Sequence, residues 1–237
     1  MGLPADSTAS TLTLTALLLQ WRSMGRAFSL GIMFLTAVGF ALAGCQPRAA
    51  AAVLSGPYEG TELGNPAPDF ELPDHQGASI ALSDLRGQVV VLTFMDSQCQ
   101  QICPLTAVHL RSAYRELGSE AGSVVFVAIN VNVEANTVED VLATTQSWRL
   151  DEIGSWHFLT GTEDQLRPIW EAYDVTVYPA PEGEGELVHT PGVFLIDQSG
   201  DLRWYVSTPF NDLGTPAWTQ PLSELLVKNI GELLRGR

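Results

Sequence analysis

Two unbroken apolar runs stand out along the chain, Val89–Met95 (VVVLTFM) and Val124–Asn130 (VVFVAIN). Runs of this length without polar alternation mark strands buried on both faces. Between them Leu105, Val108, Leu110, Tyr114 and Leu117 recur at helical spacing, so Pro104–Leu117 is predicted as a helix. The same periodicity predicts helices over Thr137–Trp148, Glu163–Tyr173 and Pro221–Leu234, with a further strand between Thr137–Trp148 and Glu163–Tyr173. Asp69–Leu72 and Ser79–Leu82 alternate around Asp74-His75-Gln76-Gly77, and Val193–Ile196 and Leu202–Val206 flank Asp197-Gln198-Ser199-Gly200. Both read as hairpins. The order predicts parallel strands joined by helical crossovers and closed by an antiparallel hairpin, an α/β architecture with a central mixed sheet flanked by helices and an N-terminal β-hairpin extension.

Composition narrows the function classes. Of 237 residues, 46% are hydrophobic and 16% charged, which excludes wholesale disorder. Several long apolar runs would be needed for a polytopic membrane protein, and they are lacking. Twelve Lys+Arg against 27 Asp+Glu give a net charge of −15, a surface that repels nucleic acid. Lys228 is the one lysine, which removes Schiff-base and P-loop chemistry.

The N-terminal part reads as an address. Arg22 and Arg26 precede the uncharged stretch Phe28–Gly44, which ends in Leu42-Ala43-Gly44-Cys45. A basic flank, an apolar run and small residues at its end form the secretory pattern. The last four residues resemble a bacterial lipobox, with Cys45 as the lipidated residue; the alternative is an uncleaved membrane anchor. Either places the rest of the chain on the extracytoplasmic face of the cell membrane, because the arginines stay inside. Residues 1–44 are thus assigned to targeting, 1–23 reading as a start-site artefact or a long leader ahead of Met24. Residues 45–64 read as a flexible tether and 65–235 as one folded domain.

The candidate chemistry lies in Asp96-Ser97-Gln98-Cys99-Gln100-Gln101-Ile102-Cys103-Pro104, directly after the first buried strand. A helix N-terminus favours a thiolate and lowers a cysteine pKa. Cys99 and Cys103, four apart, share a helix face and can close a disulfide or present two sulfurs to a soft metal. Of the four histidines, His75 sits in a polar turn and reads as a solvated loop residue. His109 lies well off the thiol face of its helix, and His157 beside Trp156 reads as a half-buried core residue. His189 enters the predicted strand Val193–Ile196 through Thr190-Pro191-Gly192, a loop that lies against the cysteine turn in a thioredoxin-type sheet. Spacing alone leaves it open between a ligand and an ordinary loop residue.

These residues resemble the SCO/SenC family. The resemblance rests on Asn65-Pro66-Ala67-Pro68-Asp69-Phe70, Leu82-Ser83-Asp84-Leu85-Arg86-Gly87, Cys99-x-x-x-Cys103-Pro104, and His189-Thr190 ahead of Phe194-Leu195-Ile196-Asp197. It covers about residues 62–235. It implies a membrane-anchored, thioredoxin-like copper protein, with Cys99, Cys103 and His189 as ligands of Cu(I) and Cu(II). Its implied partners are the copper-site subunit of cytochrome c oxidase, or another copper protein, and a thiol reductant. Three features depart from it. The family's Asp-Pro and Asp-Thr pairs are replaced by Asn132-Val133 and Asn136-Thr137. Pro191 stands where TlpA-like thiol reductases carry a cis-proline, which keeps a tethered thiol–disulfide oxidoreductase using Cys99 and Cys103 as the alternative. Glu182, Glu184 and Glu186 alternate with glycine, an acidic loop ahead of His189. A peroxidase is set aside, because Asp96 occupies the position of the peroxide-holding threonine.

Overall fold

The computed structural model describes residues 60–179, 187–207 and 220–236. The targeting stretch, Cys45, nearly all of the tether and the run containing Glu182, Glu184 and Glu186 lie outside them. One unit holds all the described elements. Among the described residues no helix is long and apolar enough to cross a membrane.

Six strands make the main sheet. They are β1 (Thr61–Pro66), β10 (Asp201–Val206), β9 (Val193–Ile196), β4 (Val89–Met95), β5 (Val124–Asn130) and β6 (Trp156–Leu159), in that spatial order. β4, β5 and β6 pair in parallel, whereas β9 runs antiparallel to β4, and β10 and β1 continue the antiparallel side. The crossover helices are α1 (Ile102–Leu117), α2 (Val138–Ser147) and α3 (Glu163–Ala172), with α4 (Leu222–Leu234) closing the chain. Two small hairpins stand apart from the sheet, β2 (Glu71–Pro73) with β3 (Ser79–Ala81) and β7 (Val177–Pro179) with β8 (Leu187–His189).

Alternation within the apolar runs fills two cores. Val89, Val91 and Met95 face α1 and α4 together with Phe126, Trp156 and Phe158. Val90, Leu92 and Phe94 face the other side, with α3 and the first hairpin. Central strands covered on both faces have no polar positions to alternate, which is why β4 and β5 read as solid runs. On the second side Phe94, Tyr173, Phe194 and Tyr205 stack edge-on or tilted, with ring centroids 5.0–6.2 Å apart. Helix starts follow local chemistry. Thr137 caps α2 through a reciprocal capping box with Asp140, and at the start of α3 the Thr162 amide and hydroxyl both donate to Gln165 Oε1.

Two expectations need correction. The tether was expected to extend to residue 64, but Thr61–Gly64 already belong to β1, which pairs with Tyr205 and Trp204 at the sheet edge. The other is His75, which is 5% exposed. Its Nδ1 accepts a hydrogen bond from the Phe158 amide, and its neighbour Asp74 binds His157 Nδ1 at 2.8 Å. These polar groups stitch the first hairpin to β6, so the turn is buried against the sheet instead of lying in solvent.

Candidate functional site

The sheet ends at Met95, and the chain turns through Asp96–Gln101 into α1. The turn is pinned from several directions. Asp96 Oδ1 accepts from the Gln98 amide and from Asn132 Nδ2, both at 2.8 Å, and the Asp96 carbonyl accepts from the Cys99 amide. Ser97 Oγ donates to the Ala135 carbonyl, and Thr144 Oγ1 of α2 donates to the Ser97 carbonyl. The buried amide Asn130 donates to the carbonyls of Asn132 and Ala135. The two loops at the carboxyl ends of β4 and β5 therefore form one hydrogen-bonded block.

α1 starts without a side-chain oxygen cap at Gln101. The Cys99 sulfur takes that place, accepting from the Cys103 amide at 3.3 Å. A helix start leaves N–H groups unpaired and partly positive, so a sulfur there is stabilised as thiolate. The Cys99 thiol is pulled down to about 6 from its ordinary 9.0. The hydrogen bond offered by the Cys103 side chain is the largest cause; burial opposes it, and the amides of Cys103, Gln101 and Ile102 assist. Cys103 is pushed the other way, well above the ordinary thiol value, by that same hydrogen bond, by burial and by the charge on Cys99. The two free thiols thus divide into an outer thiolate and an inner, protonated partner.

His189 comes from far along the chain. It is the last residue of β8, paired with Val177, where the loop reading had placed it ahead of a strand. Its Nε2 lies 3.7 Å from Cys103 Sγ. Its Nδ1 faces the Thr190 carbonyl at 3.2 Å, an acceptor only, so the proton sits on Nδ1 and the Nε2 lone pair points at the sulfur. Burial pushes the imidazole pKa down, keeping the ring neutral, as a metal ligand requires.

The following loop is held from below. Tyr205 Oη donates to the Pro191 carbonyl, and Thr93 Oγ1 donates to the Gly192 carbonyl at 2.9 Å. The expected cis bond at Pro191 is not formed: the described residues contain no cis peptide. Gly192 makes the reversal instead, at φ 146°, where an added Cβ would lie 2.5 Å from the Tyr205 ring. The remaining histidines stay away from the thiols: His109 meets Ser223 of α4, and His75 and His157 meet Asp74.

The donor chemistry fits a soft metal. Two thiol sulfurs and a neutral imidazole nitrogen are the donors such a metal would take, and Cys103 Sγ stands 3.7 Å from His189 Nε2. Among the described residues no three His, Cys, Asp or Glu side chains stand arranged to hold an ion as they are. Cys103 touches His189, and Cys99 accepts a hydrogen bond from the Cys103 amide.

Sequence reasoning missed Asp96 as part of this site. It is 3% exposed and, with Asn132, lines a cleft of about 780 Å³ walled further by Val131, Trp170, Val177 and Tyr178. A carboxylate at the end of a buried strand, with no cation nearby in sequence, was the available signal.

Fold and site together define a class: a thioredoxin-like domain that presents a dithiol at the carboxyl end of its central strand, with an imidazole against the inner sulfur. The chain belongs to the SCO1/SenC family, whose model matches residues 59–212. It is 30% identical over 144 residues to the mitochondrial SCO2 homolog of Bos taurus, covering 59% of this chain and 53% of that one. The thiol-disulfide oxidoreductase ResA of Bacillus subtilis is 30% identical over 131 residues, 53% of this chain and 66% of the relative. The chain thus spans about half to two thirds of these relatives. Among solved structures, a SCO1/SenC family lipoprotein from Bacillus anthracis superposes with a TM-score of 0.61 at 23% identity, covering 73% of this chain and 98% of that one. Copper-bound ScoI from Arabidopsis thaliana superposes with a TM-score of 0.58 at 18% identity, covering 72% and 99%.

Proposed function

We propose that this protein binds copper through Cys99, Cys103 and His189 on the extracytoplasmic face of a membrane, held there by lipidated Cys45 or by an uncleaved anchor, and hands it to the copper-site subunit of cytochrome c oxidase or to another copper protein. The carrying observation is the 3.7 Å contact between Cys103 Sγ and Nε2 of His189. Paired thiolates select Cu(I), and a neutral imidazole also suits Cu(II). Family membership, a copper-bound family structure and a lipoprotein in the same family support the reading. Transfer proceeds by exchange of these ligands for a partner's thiolates or thioethers. Outside the cytoplasm the thiols oxidise, so a thiol reductant must restore them.

The test is a titration of the reduced protein with Cu(I) and Cu(II). One copper per chain and sulfur-to-Cu(II) charge-transfer absorption are expected, with Cu(II) binding badly weakened in His189→Ala. No retained copper, or equal retention without His189, rejects the reading.

A second reading, thiol–disulfide oxidoreductase, is favoured by the split between the two thiols. A thiolate with a pKa of about 6 can attack a substrate disulfide at neutral pH, and Cys103 behind it can resolve the mixed disulfide. Fast insulin disulfide reduction by protein that retains no copper would select it.

A further inference from the structure

A second cleft borders the dithiol turn, on the side of α2. Cys99 lines it, with Gln100 and Pro104 from the turn and Ala143, Ser147 and Trp148 from the end of α2. Its volume of about 240 Å³ equals about eight waters at ~30 Å³ each, room for one incoming side chain. The walls are tied together before any partner arrives. Thr144 Oγ1 of α2 donates to the Ser97 carbonyl at 2.8 Å, and Ser97 Oγ donates to the Ala135 carbonyl at 2.7 Å. Neither this cleft nor the larger one is lined by Cys103, which is 2% exposed, or by His189. Charge separates the two clefts. The larger carries Asp96, Glu134 and Glu163 against Arg167, whereas no Asp, Glu, Lys or Arg lines the cleft at α2. A chain of net charge −15 repels an approaching thiolate, and an uncharged passage keeps that repulsion small. Ala143 and Ser147, exposed and one helical turn apart, leave the passage open, and the half-buried Trp148 ring offers a face on which sulfur packs favourably.

We propose that this cleft is the port through which a partner's cysteine reaches the site: its sulfur passes over Trp148, between Pro104 and α2, and meets Cys99 before Cys103 or His189. The proposal rests on Cys99 exchanging with a partner's sulfur, a step that copper handover and disulfide exchange share. The partner therefore carries its cysteine on a protruding segment, because the cleft admits a side chain and not a helix.

Glutathione disulfide, a bulky sulfur probe, supplies the chemistry for a test. The Cys99 thiol gives up its proton, and its sulfur bonds to one glutathione sulfur while the other glutathione leaves and takes a proton. The Cys103 thiol then gives up its proton, and its sulfur displaces the remaining glutathione from Cys99, which leaves as a thiol. The dithiol becomes a disulfide, and its two electrons pass to the glutathione pair. Methyl methanethiosulfonate, a small probe, transfers only a methylthio group to Cys99 as methanesulfinate leaves, so it reports the sulfur itself with little demand on access.

The reduced full chain, Ala143→Trp, Ser147→Trp and Glu134→Trp are each mixed with either reagent at one pH, and loss of free Cys99 is followed by peptide mass. Ala143→Trp and Ser147→Trp fill the cleft from exposed positions, so each should slow the glutathione reaction at least about tenfold and the methyl reagent less than about threefold. Glu134→Trp fills the larger cleft and removes a carboxylate, which can only hasten an anionic probe. It should not slow either reaction. Groove variants that react with glutathione disulfide at the wild-type rate overturn the proposal. So does equal slowing of both reagents, which would report a change in the sulfur, or slowing by Glu134→Trp as large as theirs. Should Ala143→Trp fail to fold, Ser147→Trp, one turn further along α2, decides by the same criteria. Wild-type protein whose Cys99 reacts with neither reagent refutes the shared exchange step itself, an outcome read without any variant and so distinct from failure of the port.

Discussion

Replacing Cys103 with alanine tests the division of labour between the two thiols. The Cys103 side chain makes the largest contribution to the lowered pKa of Cys99, and burial works against it. With a pKa of about 6, roughly nine tenths of Cys99 is thiolate at pH 7, against about one hundredth for an ordinary thiol at 9.0. Nucleophilicity falls as basicity falls, with a Brønsted slope of about 0.4–0.5, so three pKa units cost roughly 20-fold in intrinsic rate. The net advantage in alkylation at pH 7 is then only about fourfold. The direct readout is therefore the ultraviolet absorbance of the thiolate against pH, taken as the difference from Cys99→Ser to remove Cys45. Cys103→Ala is expected to raise the midpoint by at least about one unit, because burial and the backbone amides remain. Cys103→Ser keeps a hydroxyl donor and should stay closer to 6. A midpoint unmoved in Cys103→Ala, or moved equally in both variants, would refute the reasoning. The sign for stability follows from the same shift. A thiol pKa lowered by folding adds stability that is complete above the ordinary value of 9.0 and is lost as pH falls through about 6.

Three further outcomes are expected. In Gly192→Ala the added Cβ would lie 2.5 Å from the Tyr205 ring at a φ of 146°; the His189 loop must move, and Cu(II) affinity should fall at least about tenfold while the far-ultraviolet spectrum is kept. Burial lowers the pKa of His75, so the stability that its neutral form supports is present above its ordinary 6.5 and is lost as pH falls through the folded value. Urea midpoints should therefore fall between about pH 7.5 and 5, and fall less in His75→Gln. Phe158 is fully buried and packs edge-on against Trp156 with centroids 6.0 Å apart, so Phe158→Ala should cost about 3–5 kcal/mol in urea unfolding.

The sequence carried the sheet centre and the helices because their signals are local. β4 and β5 are solid apolar runs, and α1 to α4 repeat their apolar positions at helical period with capping residues at the starts of α2 and α3. The cysteine turn was legible as the end of a buried strand feeding a helix. What escaped depends on distant partners. β1 (TELGNP) is exposed along almost its whole length and is a strand only because β10 presents an edge to it. β8 is three residues long and exists through pairing with β7. His75 sits in a sequence of turn residues, and its burial is imposed by β6 from more than eighty residues away. Pro191 suggested a cis bond because the motif resembles reductases that have one, whereas Gly192 and Tyr205 provide the turn here. The tie between Asp96 and Asn132 bridges two loops and shows no periodicity.

X-ray absorption at the copper edge of protein loaded with one equivalent of copper addresses the central claim most directly. Two sulfur scatterers and one imidazole nitrogen per copper are predicted, with the nitrogen lost in His189→Ala. A shell of sulfur alone in the wild type, or one unchanged in that variant, would contradict the account.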